Sequence, residues 1–392
     1  MKKVRAIFLL FIIIFIIVSL SGCWDLEDID QRAIIVALAI DYAETPGGTN
    51  YEHTEMIKVT AQLAIPQKLG GGAGQPPEMG EESVWNVSAV GRNVNMALVS
   101  LKQKIQFEIF LAHMRALVIS EDIAREGISK HINYFKNHYE FRRLSYILIS
   151  EGKAADIINT YPKTATIQGV YLMNMVEHET KKGRMPDIPF MEFIVRMVNK
   201  GIDPITIIVE REEDYIKYSG LAVFKGDEMN GKINVEEGWS FIQLSEKKFG
   251  GIEVVRDVKT EIGSVTVSFT DIDSSMRPVK INKDKYLFKI DLQFEGRITS
   301  QDTYTDYSNK IFFDQLEQRV SAETKKELEV LFYKIQNKYK ADIFGFGDMV
   351  RAYRPLEWNK IDDWREKFKK ADLEIEVRTN IERVGMAIFK QE

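Results

Sequence analysis

The chain has 392 residues, a formal net charge of −5 at pH 7 and 45% hydrophobic residues. That size and apolar content build full cores for two or three domains and exclude a disordered chain. The acidic balance does not favour nucleic acid or anionic headgroups as partners, and a lone cysteine excludes an internal disulfide.

The first element is an export signal. Met1-Lys2-Lys3-Val4-Arg5 is cationic, and Ala6–Leu20 is an uncharged apolar run. At about 15 residues that run fits the apolar region of a signal peptide, whereas a spanning helix needs about 20. Leu20-Ser21-Gly22-Cys23 follows the pattern of a bacterial lipobox: small residues admit an extended backbone to the peptidase, and the thiol takes the diacylglyceryl group. Residues 1–22 are therefore expected to be a signal peptide. Cys23 is expected to be lipidated with fatty acyl chains such as palmitate. An uncleaved signal anchor is the alternative, but the only cysteine stands where the motif requires it. Removing residues 1–22 leaves the chain three charges more negative, so attachment depends on the lipid, at ~0.8 kcal/mol per buried CH₂. No later apolar run reaches spanning length, which places everything after Cys23 on one side of the membrane, the extracytoplasmic face.

Ala33–Ile40 is continuously apolar and β-branched, as in a strand buried on both faces. After a turn at Thr45–Asn50, Ile57, Val59, Ala61, Leu63 and Ile65 alternate with more polar neighbours. That pattern predicts a half-buried strand pairing with the first as a hairpin. Gly70–Ser83 reads as a flexible loop; no Gly-Lys-Ser/Thr follows its glycines, so a phosphate cradle is not supported. Val94, Ala97, Leu98, Leu101 and Ile105 predict a helix. A strand at Ala116–Ser120, a helix at Ile123–Phe135, a strand at Leu144–Ser150 and helices at Lys153–Asn159 and Phe190–Val198 follow. This gives a mixed α/β region over residues 23–209, with the charged segment Glu210–Asp214 as its boundary.

Residues 219–392 are expected to form a second, α+β domain. Tyr218–Lys225 and Lys232–Val235 flank a turn as a hairpin, and Ile252–Phe269 and Val279–Arg297 contain alternating runs. Leu328, Leu331, Phe332, Ile335 and Tyr339 share a helical face, Trp364 and Phe368 lie on a further helix, and Leu373–Ile381 is a last strand. The class is α+β: mixed α/β domains ending in a curved sheet packed by helices. Phe344–Gly347 reads as a tight turn, and Trp85, Trp358 and Trp364 as core anchors, while Trp24 fits the headgroup level beside the lipid.

No catalytic or metal constellation emerges. His53, His113, His131, His138 and His178 form no pair at zinc spacing, and Glu177-His178-Glu179 is explained by a solvated helix face. Asp271-Ile272-Asp273 lacks the glycine of a calcium loop and is expected in a turn between strands. No Gly-x-Ser-x-Gly elbow occurs, so neither cofactor nor catalytic residue is assigned.

The order of several segments resembles the Ger(x)C family, the lipoprotein C subunits of spore germinant receptors. They are Gly22-Cys23-Trp24-Asp25 with Glu27-Asp28-Ile29, then Trp85–Ser88 with Gly91-Arg92, and His113–Ile119 before Ala124–Ile128. Gly220–Lys225 with Gly231–Ile233 resembles the opening of the family's C-terminal part, and Asp342–Gly347, Arg354–Trp358 and Trp364 resemble its close. The Gly70–Ser83 loop departs from the family by its length and glycine content. The resemblance implies a non-enzymatic receptor subunit required for germination, with the germinant receptor A and B membrane subunits as partners, at the inner spore membrane. It assigns no ligand site. The rival is a solute-binding lipoprotein of a transporter, which would show repeated βαβ units in two lobes, whereas the strands here are expected in hairpins.

Overall fold

The run Ala33–Ile40 needs cover on both faces and both edges, and the computed structural model shows how it is obtained. The structure describes residues 32–44, 56–65, 83–164, 167–245, 255–260, 263–281, 285–302 and 310–382, besides Arg5 and Phe8. The expected signal segment, Cys23 and the Gly70–Ser83 loop, apart from Ser83, lie outside them.

β1 (Arg32–Tyr42) pairs antiparallel with β2 (Ile57–Ala64), and β2 with β3 (Val84–Gly91). On its other side β1 pairs parallel with the short β4 (Glu108–Phe110) and with β5 (Ala116–Ser120). Then follow β6 (Tyr146–Glu151) and β7 (Ile205–Glu212), both parallel, and β8 (Tyr215–Lys225) and β9 (Glu228–Ile233), both antiparallel. The result is a nine-stranded mixed sheet. Parallel neighbours require crossover helices, and the chain supplies α1 (Val94–Lys102), α2 (Glu121–Glu126), α3 (Ser129–Asn137), α4 (Ala154–Ile158), α5 (Gln168–Lys181) and α6 (Phe190–Val198). The β1–β2 hairpin is as expected. The expectation of hairpins throughout is corrected, because β1, β5, β6 and β7 run parallel.

The charged segment Glu210–Asp214 is the end of the β7–β8 hairpin, with Glu212 opposite Tyr215. It is not a linker: the first sheet continues through it to Ile233. Charge concentrates there because a hairpin tip is solvated.

The second sheet has the order β10–β11–β12–β13, from Val255–Thr260, Gly263–Ile281, Tyr286–Gln301 and Ala371–Glu382. β12 and β13 are parallel and the other pairs antiparallel, with register shifts along the long β11–β12 ladder. Asp271 and Asp273 lie within β11 beside one of these shifts, not in a turn. α7 (Val235–Leu244) and α8 (Lys310–Lys334) cover this part. α7 starts in a capping box between Asn234 and Glu237, and Lys334 Nζ on α8 donates to Glu237 at 2.6 Å. α8 ends in a π-helical turn, Ile335–Tyr339, and a left-handed residue, Lys340. The short helices α9 (Phe346–Tyr353), α10 (Pro355–Trp358) and α11 (Trp364–Phe368) lead into β13. The architecture is thus mixed α/β, with a second mixed sheet packed by helices. No helix among the described residues is long and apolar enough to cross a membrane.

Candidate functional site

Cys23 lies outside the described residues, so the one site residue expected from the sequence is not placed. Among the described residues no three His, Cys, Asp or Glu side chains stand together as metal ligands. Glu177, His178 and Glu179 lie on α5, where the exposed His178 ring meets Glu179 at 3.3 Å. The most elaborate polar constellation is instead a joint between the two halves of the chain, built on two buried carboxylates.

Asp342 follows the left-handed Lys340 and is fully buried. One carboxylate oxygen accepts the backbone N–H groups of Phe344 at 3.1 Å and Gly345 at 3.0 Å. The other accepts the N–H of Gly347 at 2.9 Å and the indole N–H of Trp364 at 2.8 Å. Burial pushes this carboxyl up to about 6, with Asp203 adding to the rise, while the Gly347, Trp364 and Gly345 donors pull it back. At neutral pH it is therefore ionised, matched to four donors.

Asp203, just before β7, is buried too. Its backbone N–H donates to the Asp342 carbonyl at 2.6 Å, and its carboxylate accepts the Asp342 N–H at 2.9 Å. Arg365 on α11 clamps the Asp203 carboxylate from Nε at 2.9 Å and Nη2 at 2.6 Å. The Gly226 N–H, at the β8–β9 turn, donates to it at 3.2 Å. Nearby, the buried Arg196 of α6 donates to the Ile343 carbonyl at 3.2 Å and to Glu192 at 3.0 Å. Asn199 donates to Asp348 at 2.7 Å. One cluster thus draws on β7, α6, α9, α11 and the β8–β9 turn.

Glycine permits the approach. A Cβ on Gly347 would stand 2.5 Å from the Gly201 carbonyl oxygen and 2.6 Å from Trp364 Nε1. Gly345, at φ 93°, turns the chain into α9 in the left-handed region. Around this polar centre lies an aromatic shell: Phe346 stacks on Phe288 at 4.5 Å between ring centres, and Phe332 lies 5.9 Å from Phe346.

Of the expected core tryptophans, Trp364 is in this site and buried, Trp358 is partly buried 6.0 Å from it, and Trp85 is 48% exposed. Sequence reading missed Asp203, Arg196 and Arg365. Asp342 stands in it only within Asp342–Gly347, one of the segments that resemble the family. The available signal was an aspartate followed at three and five residues by glycine, a pattern in which backbone N–H groups can fold back onto the carboxylate. A joint of this kind positions and couples two bodies; it offers no open coordination position and no activated nucleophile.

Two family models match the chain in tandem. The spore germination protein N-terminal domain matches residues 25–211, and the one described as spore germination B3/GerAC like, C-terminal, matches residues 219–385. Among individual proteins of Bacillus subtilis (strain 168), spore germination protein YndF is 24% identical over 95% of this chain and 96% of its own length. Spore germination protein B3 is 24% identical over 95% and 97%. A crystal structure of the GerBC protein matches 90% of this chain and 99% of its own, with a TM-score of 0.58 at 21% identity, a likeness of fold. Most of β8, from Ser219 on, and all of β9 belong to the second matched segment yet complete the first sheet.

Proposed function

The chain belongs to the GerAC-like family of spore germination proteins, and from that membership we propose that it is the lipid-anchored, non-catalytic C subunit of a nutrient germinant receptor. Its role is in spore germination, not in solute transport. The observation that carries the reading is the tandem match of two germination-family segments over nearly the whole chain, in order. The architecture agrees with it: among the described residues the parallel β1–β5–β6–β7 unit occurs once, beside a second sheet of different topology, and not as a pair of like lobes.

In this reading Cys23 carries the acyl chains that hold the protein on the extracytoplasmic face of the inner spore membrane. The A and B membrane subunits of the receptor are its partners, and its contribution is binding and positioning. The sealed Asp203–Asp342 joint supports that role, since a rigid body presents partner surfaces in fixed relation.

Two measurements test this. Cys23→Ala is expected to abolish fatty-acid labelling and leave a retained precursor or a released protein; label persisting on the variant sinks the anchoring. The membrane-anchored wild type is expected to co-purify with its A and B neighbours. Recovery without them, from spores that contain all three, removes the receptor assignment.

A further inference from the structure

We propose that the end of the nine-stranded sheet where β1, β5 and β6 begin faces the bilayer and rests on anionic phospholipid headgroups. The proposal rests on anchoring through Cys23.

The three strands are parallel, and β5 and β6 begin opposite Ala37 of β1, so their starts lie towards one end of the sheet, with Arg32 five residues farther out along β1. Arg32 opens β1, Arg115 precedes β5, and Arg142 and Arg143 precede β6. No ion pair among the described residues joins Arg115, Arg142 or Arg143. Burial, and after it the nearby Arg142, push the Arg115 guanidinium down, and Glu177 offsets this in part. Lys104 adds a further cation, whereas Lys102 is paired with Glu108.

The same end exposes apolar side chains. Trp85 and Phe107 flank a groove of about 340 Å³ that Arg32, Lys104, Leu63 and Ile65 also line. Trp85, Phe107 and Leu144 are 48%, 37% and 62% exposed. Aromatic rings mixed with cations on long stems suit the headgroup level, where the apolar part enters and the charge meets phosphate.

Two observations make the occupant a lipid surface. The first is reach. Arg32 is nine residues after Cys23, a span of at most ~30 Å, so the lipid lies within that reach of the end that Arg32 opens. The second is charge polarity. The opposite end, where the parallel strands finish, carries Asp41, Glu151, Glu210, Glu212, Glu213 and Asp214, offset in part by Lys58, Lys153, Arg211, Lys217 and Lys232. The acidic balance of the chain is thus unevenly spread, and an anionic membrane turns the basic end towards itself.

The test uses the full lipidated chain in vesicles of phosphatidylcholine with and without phosphatidylglycerol. Cys23 is the only cysteine, and its thiol is taken by the lipid, so a cysteine introduced elsewhere is labelled alone. Spin labels are placed on Phe107→Cys and, at the far end, on Tyr215→Cys. The expected result is a several-fold loss of access to a water-soluble paramagnetic collider at position 107 in phosphatidylglycerol vesicles, with position 215 unchanged. Arg142→Glu with Arg143→Glu is expected to restore access at 107. Leu144→Cys gives an independent reading if the Phe107 substitution disturbs its loop. Chains that float with the vesicles but show equal access at 107 and 215 overturn the proposal while anchoring stands. Protection at 107 that appears only with the receptor's membrane subunits present overturns it in favour of a protein contact. A chain that does not float, with a free thiol at Cys23, overturns anchoring and this proposal together.

Discussion

Asp342 brings four donors to one carboxylate, and no composition or periodicity announces that, because its other partners are remote. Trp364 is 22 residues away and Asp203 139. Its raised acidity sets a pH dependence whose sign follows from linkage. The folded carboxyl keeps its proton up to about pH 6, while an unfolded aspartate loses it near 4. Folding therefore takes up a proton in that window, and this group's contribution is fully present below about pH 4 and lost as pH rises through 6, by about 3 kcal/mol. Asp342→Asn turns an amide NH₂ towards two donors, one more opposing hydrogen than the protonated carboxyl presents, at a cost of about 1–3 kcal/mol at pH 4. Denaturant titrations of wild type and variant from pH 4 to 7 check both statements. The gap is expected to be widest at pH 4 and to narrow towards 7, and a gap independent of pH removes the assigned shift. The tryptophans form a graded series on the same scale. Trp364→Ala removes a buried ring and an indole donor, at about 3–5 kcal/mol. Trp358→Ala is expected to cost about 1–2 kcal/mol and exposed Trp85→Ala less than about 0.5 kcal/mol. Composition groups all three as core because it cannot see that β3 is an edge strand, where Trp85 shares the face of Val87 and Ala89 but stands at the end of the strand and is left half exposed. Thermal unfolding of the three variants checks the order, and equal losses would show that the rings share one environment.

Elements were legible where one periodicity dominated. β1, β2, β5, β6 and α6 stand within a few residues of their expected ranges, because continuous or alternating apolar runs admit few other solutions. Of α5 only the solvated face at Glu177–Glu179 is legible in the sequence, and α7 and α9 are not. In α7 nearly every position from Gly238 to Leu244 is buried, which erases the stripe that marks a surface helix. The first residues of α9, Phe346 and Gly347, look like the chemistry of a tight turn; Gly345 does turn the chain, but the helix begins one residue later. Two effects oppose each other at Gly347. Alanine is the better helix former by ~1 kcal/mol, yet its Cβ would meet the Gly201 carbonyl and the Trp364 indole, and forcing α9 off its neighbour costs about 1–3 kcal/mol. Contact wins because the obstacles are backbone and a buried ring. Gly347→Ala is expected to lower the melting temperature by several degrees, and a rise would show that the close approach is not required.

At the scale of the molecule, the α+β class and the helix-packed second sheet followed from element types, but the relation of the two halves did not. A charged segment reads as a boundary whether it is a linker or a hairpin tip, and only the pairing of β7 with β8 decides. The consequence is mechanical. The first sheet runs to Ile233, and the halves are locked where Asp203 receives Arg365, Gly226 and Asp342 together. Asp203→Ala leaves Gly226 N–H and Asp342 N–H without that acceptor. Arg365, a third exposed, turns to water. The loss expected is about 2–4 kcal/mol, most of it from the unpaired amides and not from the ion pair. Because the lost bonds join the halves, the effect is on coupling as well as on stability. Calorimetry of the detergent-solubilised wild type is expected to show one transition, and that of Asp203→Ala two. In hydrogen exchange, the 203, 226 and 342 amides of the variant are expected to lose protection ahead of β5 and β6. Arg365→Ala alone leaves both amides paired but strands the buried Asp203 carboxylate without its cation, so it is expected to destabilise by a comparable amount and yet to keep one transition. A single transition in Asp203→Ala, shifted but not split, would mean that the aromatic shell around Phe288, Phe332 and Phe346 couples the halves and that the carboxylate only adds stability to it.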